Sequence, residues 1–485
     1  MKRGVPLRSP VPGGWSLPSS GCDRFLPSMS PPTVTSRGAE LRELWKLAIP
    51  IIIAQLGHSL MGFVDTAVLA RAGLAELSAV AISNTVLFVV ISLGAGLIMG
   101  LDPQVSQSFG AGNEARARLL LWHGSYMAVV AGILFALVMV GGLYLLPLLG
   151  VDFVELPQMK DYLTWRAPGL PLILLFFTAR AYLQGVGRTG ALVVATIVAN
   201  AVNLVADVLL VFGGAGLPAF LGPLREVPAL GIKGAALSTT VCAALQWFIV
   251  AQAVRRVPGE VPAPRAEWAM IRKTVWLGLP ISLHILADEG IYAVTAMLAR
   301  GFGPESISAI QIVMSYGIFS FAVTSGIGNA GSVRVGWAVG AGNPEQVRQS
   351  GRVALASGAL FTACSALAFA AFPQHLVRLI GAPAEVVPLL VPLLMVTALF
   401  QFSDGVLGVG AGVLRGMGET RFTSVAVMAG HYGVGLPVAL LLGYGLGQGV
   451  VGLWGGLCAG LTTMALAIIW RFERLSTSTP LPVQA

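Results

Sequence analysis

Several acidic side chains of this sequence stand inside stretches that are otherwise apolar, where a carboxylate needs a reason. Asp65 follows Leu60-Met61-Gly62-Phe63-Val64, Asp207 closes Asn203-Leu204-Val205-Ala206-Asp207, and Asp404 follows Gln401-Phe402-Ser403. Asp288 and Glu289 adjoin each other between Ile285-Leu286-Ala287 and Gly290-Ile291. An acid at bilayer depth is costly unless solvated or paired, so each is a candidate for carrying a cation or a proton. The plainer reading of each is a structural hydrogen bond or a helix-end residue. Asn203 precedes Asp207 by one helical turn, so both project from one side of a helix. Thr239 falls at a similar depth in a third stretch. Oxygen donors of this kind suit a dehydrated Na⁺, whereas two carboxylates facing each other out of water suit the sharing of a proton. The residues alone leave both open.

The elements that hold these groups follow from composition. Of 485 residues 55% are apolar and only 11% charged, with 60 glycines and a mean hydropathy of +0.80. Soluble domains carry about 25% charged residues, and glycine is commoner in transmembrane helices. A water-soluble enzyme is thereby excluded, and an all-α polytopic membrane protein is expected. A helix needs roughly 20 apolar residues to cross a bilayer. Twelve such stretches run approximately 44–70, 76–101, 117–146, 162–186, 190–213 and 230–254, then 274–299, 306–335, 350–372, 386–414, 421–444 and 449–470. The expected organisation is an N-terminal tail (1–40), a first lobe (41–254), an inter-lobe linker (255–273), a second lobe (274–474) and a short tail (475–485). Tail 1–40 is rich in Pro, Ser, Gly and Arg and reads as disordered; a transit peptide, or an over-extended start with Met29 as initiator, are the alternatives. The net charge of +8 sits in short loops, as topology rather than as a nucleic-acid footprint. Its bias puts both termini and the linker in the cytoplasm, Arg180 and Arg334 being left near inner helix ends, where they would snorkel. Cys22, Cys242, Cys364 and Cys458 have neither disulfide nor metal spacing.

An internal repeat relates the halves. Gly110-Ala111-Gly112-Asn113 recurs as Gly340-Ala341-Gly342-Asn343, and Pro50 as Pro280, both at an offset of 230. Leu183-Gln184-Gly185-Val186-Gly187 is answered by Leu414-Arg415-Gly416-Met417-Gly418, at 231. Six spans is an even number, so both halves enter the membrane in the same sense, about a pseudo-two-fold axis along its normal. A cavity between two such lobes, exposed to either side by rocking, is the plan of a secondary transporter. Pro50 is a candidate hinge in the first span.

Two stretches carry a family resemblance. Pro50-Ile51-Ile52-Ile53-Ala54-Gln55, Met61-Gly62-Phe63-Val64-Asp65-Thr66 and Gln107-Ser108-Phe109-Gly110-Ala111-Gly112 form the first. The second is Gln401-Phe402-Ser403-Asp404, Gly412-Val413-Leu414-Arg415-Gly416 and Glu419-Thr420-Arg421. Over about 44–470 the chain resembles the multidrug and toxic compound extrusion (MATE) family. That resemblance implies export of organic, often cationic and amphipathic, compounds in exchange for Na⁺ or H⁺. In the DinF-like branch a first-span Asp, a fifth-span Asn-x-x-x-Asp and a sixth-span Thr form the ion site, which maps onto Asp65, Asn203, Asp207 and Thr239. In the NorM-like branch an acid in span seven and one in span ten form a second-lobe cation site. These map onto Asp288, with Glu289 one step on, and Asp404. Carrying both sets leaves the coupling ion open.

The expectation is therefore a monomeric exporter of the inner membrane, without enzymatic activity or cofactor, handling lipophilic cationic small molecules. The alternative is a lipid-linked oligosaccharide flippase of the same superfamily, against which stands the small number of basic residues within spans. His58, His123, His284 and His431 are minor candidates for a proton relay. Trp122, Trp165, Trp276 and Trp470 fit interfacial belts, and Phe63, Tyr292, Met314 and Tyr316 read as core before cavity lining.

Overall fold

The computed structural model describes residues 36–147, 154–215, 219–259, 267–381 and 385–477, and these are almost wholly helical. The expectations for the first 35 residues, for Cys22 and Met29, and for 478–485 lie outside them, as does 260–266 of the linker. Eleven helices are long and apolar enough to cross a membrane. The first six spans are α1 (Arg37–Ala72), α2 with α3 (Leu74–Met99, Leu101–Gly110), α4 (Glu114–Leu145), α5 with α6 (Leu156–Arg166, Gly169–Gly185), α7 (Gly190–Phe212) and α8 (Ile232–Arg255). The second six are α9 (Trp268–Ala299), α10 (Pro304–Gly340), α11 (Pro344–Ala371) followed by short α12 (Pro373–Ile380), α13 (Val387–Gly416), the stretch Thr420–Gly445, and α14 (Gly449–Ser476). The fourth span is the one not crossed by a single helix. It divides before Pro168, whose ring removes an N–H and disfavours a continuous α-helix.

The bounds correct the sequence reading at three places. Ser36 caps α1, its Oγ accepting from Ala39 N, so residues 37–40 belong to the first helix and not to the tail. Trp268 opens α9 inside the expected linker, and the last helix runs to Ser476. Pro50 and Pro280 both sit within unbroken helices. The eleventh span leaves α-helical geometry for π turns at Ala429–Gly435 and Leu441–Gly445, wider turns that collect at functional positions.

The repeated Gly-Ala-Gly-Asn is a turn. Gly112 and Gly342 take φ of 73° and 66°, a left-handed conformation that glycine adopts without penalty. Asn113 Oδ1 then accepts from Arg116 N, and Asn343 Oδ1 from Gln346 N, capping the next helix of each half.

The seam between the halves repeats the same offset in space. Gln107 Nε2 donates to the Gly416 carbonyl (2.9 Å), and Trp337 Nε1 donates to the Gly185 carbonyl (2.6 Å). Gly110 lies against the Trp337 backbone and Gly340 against the Gln107 carbonyl. Likewise Gly96 meets Ser282, and Gly326 meets Ile52. Each partner of one pair is 230 or 231 residues from its counterpart, and Ser106 faces its own counterpart, Gly336. The two six-helix lobes are thus related by a pseudo-two-fold axis. Helices meet this closely only where no Cβ intervenes, so the glycines position the lobes.

Candidate functional site

In the first lobe α1, α7 and α8 converge on Asp65. Asn200 Nδ2 reaches the Gly57 carbonyl (2.9 Å) and fixes α7 against α1. Asn203 Nδ2 donates to Asp65 Oδ1 (2.8 Å) and Thr239 Oγ1 approaches Asp65 Oδ2 (3.4 Å). Asp207 has no solvent exposure, and neither of its carboxylate oxygens has a hydrogen-bond partner. Asp65, Ser238 and Asn203 are the polar side chains acting on it. Ser238 Oγ and Asn203 Oδ1 are likewise buried and unpartnered. All four residues picked from sequence in this lobe are therefore brought together, with Ser238 as a fifth that sequence reading missed. A buried carboxylate without donors is costly. The free oxygens around it fit a proton or a small hard cation. Among the described residues no cluster of three or more His, Cys, Asp or Glu would hold a metal.

The second-lobe acids are arranged differently. Asp288 accepts from His431 Nε2 (2.8 Å), and the His431 ring is fully buried in the π turn of the eleventh span. Tyr432, next in that turn, donates to the Ala287 carbonyl (3.0 Å). Glu289, the next residue, is exposed. Asp404 is half-buried, and Asp288 is the charged group acting on it. Tyr292, Phe400 and Trp454 form an aromatic run alongside, Phe400 stacking on Trp454 at 5.1 Å. The importance of His431 over the other histidines was not legible. A π turn changes which side chains face a neighbouring helix, and a 3.6-residue period does not anticipate it.

A cavity of about 460 Å³ lies between the lobes. Gln55 and His58 of α1, Phe88 and Ser92 of α2, and Phe177 and Arg180 of α6 line it from one side. His284, Asp288 and Glu289 of α9, Asn329 of α10 and Arg415 of α13 line it from the other. The first-lobe acids are not in this lining, and neither are Asp404, Phe63, Tyr292, Met314 or Tyr316. His123 is occupied elsewhere, bonded to the Leu119 carbonyl and accepting from Glu267 N.

Below the cavity the lobes are closed. Glu40 and Arg334, 0% and 3% exposed, pair through Nε (2.9 Å) and NH2 (2.5 Å). Gln346 Nε2 (2.9 Å) and Ser350 Oγ (2.7 Å) donate to the same carboxylate. Arg334 is thus sealed in an ion pair and does not snorkel, a correction that the placing of Glu40 in a tail had concealed. Arg415, read from sequence as a loop residue, belongs to α13 and pairs with Asp102 (3.4 Å) while donating to Asn329 Oδ1 (2.6 Å). Gln104 Nε2 to Thr274 Oγ1 (2.8 Å) and Ser282 Oγ to the Leu93 carbonyl (2.8 Å) also join the lobes, and Gln55 Nε2 to Ser325 Oγ (3.3 Å) does so within the cavity lining.

Twelve spans in two lobes around a shared cavity, with acids at membrane depth, define a polytopic transporter rather than an enzyme. The MatE family model matches residues 50–209 and again 280–441, each half once. A probable multidrug resistance protein NorM from Bradyrhizobium diazoefficiens is 32% identical over 447 residues, covering 90% of this chain and 94% of that one. Multidrug resistance protein PmpM from Pseudomonas aeruginosa is 32% identical over 467 residues, covering 92% and 94%. The fold superposes on the Vibrio cholerae MATE transporter VcmN in its bent form with a TM-score of 0.80 at 20% identity, covering 91% and 98%. The chain belongs to the MATE family of transporters.

Proposed function

We propose that the chain exports amphipathic organic compounds, cationic ones among them, across the inner membrane by antiport with H⁺ or Na⁺. The relatives' description as multidrug resistance proteins supports the cargo class. The observation that carries the coupling is Asp207, buried and unpartnered beside the Asp65–Asn203–Thr239 cluster. Such a site is strongly biased toward holding a cation or proton, and its occupancy alters how α1, α7 and α8 pack. Transport then follows from differential affinity of two states for cargo and ion. Asp288 and Glu289, which line the cavity, serve as the second-lobe acids that meet a cationic cargo, with Asp404 acting through the charge of Asp288, and Pro50 as the point at which α1 bends. The Lys/Arg bias places both termini and the closed end of the seam in the cytoplasm, so the described state faces outward. The chain works as a monomer, its two lobes, 37–255 and 268–476, moving about the linker between them.

Dye efflux from proteoliposomes under a pure pH gradient and under a pure Na⁺ gradient tests this and identifies the ion. Asp65→Asn is expected to abolish gradient-driven efflux while the protein elutes unchanged on size exclusion, and Asp404→Asn to weaken cargo binding. Undiminished efflux by the Asp65 variant would contradict the proposed coupling site.

A further inference from the structure

Two guanidinium groups, those of Arg180 and Arg415, line the cavity, and of the two only Arg415 has a carboxylate against it, that of Asp102. Arg415 pairs with Asp102 and donates to Asn329. Arg180, from α6, forms no hydrogen bond or ion pair with any described residue; its Nε, like that of Arg415, is secluded from solvent without a hydrogen-bond partner, and its guanidinium lies 4.8 Å from the Phe177 ring centroid. Asp102 and Arg415 are the charged groups acting on it, so the trio carries one unit of positive charge in excess. A guanidinium keeps its charge at any accessible pH, and an uncompensated charge away from water is expensive. The same cavity presents Glu289 and Asp288 from the opposite lobe. Its walls are therefore bipolar.

We infer that Arg180 seats an anionic group of the cargo, so that the cavity selects amphoteric molecules with a carboxylate or similar oxyanion at one end and an amine at the other. The inference rests on the export reading above and narrows its cargo class. The planar fork of a guanidinium matches a carboxylate in two parallel hydrogen bonds, and the Phe177 ring holds its plane. A cavity of about 460 Å³ lies within the range that encloses drug-sized ligands. The amine end meets Glu289, which has no hydrogen-bond or ion-pair partner among the described residues, while Asp288 is held by His431. A cargo so bound joins α6 of one lobe to α9 of the other, across the surface that must part during transport.

The test is fluorescence polarisation with purified full-length protein and two dyes, rhodamine B, which is zwitterionic, and rhodamine B ethyl ester, which carries the cation alone. Both are expected to bind the unaltered protein. Arg180→Gln should weaken rhodamine B by about tenfold or more, the scale of a hydrogen bond to a charged group, while the ester changes by less than about twofold. Arg180→Lys, a point charge without the fork, should fall between. Retained ester binding reports that each variant is folded. Equal loss of both dyes would assign Arg180 a structural role and overturn the inference, as would rhodamine B binding unaltered in Arg180→Gln. Binding of the ester without rhodamine B to the unaltered protein would overturn it while leaving the export reading intact. Failure of both dyes would sink the export reading and the inference with it.

Discussion

Glu40 accepts from three residues of the opposite lobe in the absence of solvent, and breaking such a set strands its partner. Glu40→Gln should cost about 3–5 kcal/mol, because Arg334 is left charged and buried. The expected readout is a lower Tm of the purified protein, with much of the loss recovered in the Glu40→Leu/Arg334→Met pair. A double variant no more stable than the single one would refute this. Single residues differed widely in how far sequence disclosed them. Asp65 and Asp207 were legible because a carboxylate in an apolar stretch has few innocent explanations, and Asn203 and Thr239 through their depth and the family resemblance. Glu40 was not, since a charged residue at the mouth of a helix looks the same whether it faces water or a partner hundreds of positions away. Asp102 was hidden for a similar reason, falling just past the end of the second apolar stretch, 76–101.

Helical elements were legible almost throughout, because hydropathy marks a bilayer crossing over some twenty residues. What sequence could not convey was departure from one helix per span: the break before Pro168 and the π turns holding His431. Those depend on packing against neighbours rather than on local preference. The close crossings give a direct test. Gly340→Leu would thrust a side chain into the Gln107 carbonyl, whereas Gly141 has open space about it. Expression as a monodisperse peak should collapse for Gly340→Leu and stay unchanged for Gly141→Ala. Similar yields of the two would mean the helices do not need that approach.

The whole molecule is joined across one end and carries its cavity above the join. A covalent tie there should arrest the cycle. With the native cysteines removed, Gln104→Cys with Thr274→Cys places two thiols where side chains of the two lobes already meet. Oxidation is expected to stop efflux, and reductant to restore it; continued efflux by fully cross-linked protein would show that this end never opens. The seam also records how two similar halves avoid mispairing. Gln104 occupies the position equivalent to Arg334, and Met270 that equivalent to Glu40. Two copies of the second half would face each other with arginines lacking any acid, and two copies of the first would leave glutamates opposite amides. Heterologous assembly alone neutralises the charge. Halves expressed as separate polypeptides should accordingly seek each other in preference to their own kind, so the ion pair acts as an address label written on an otherwise self-complementary surface.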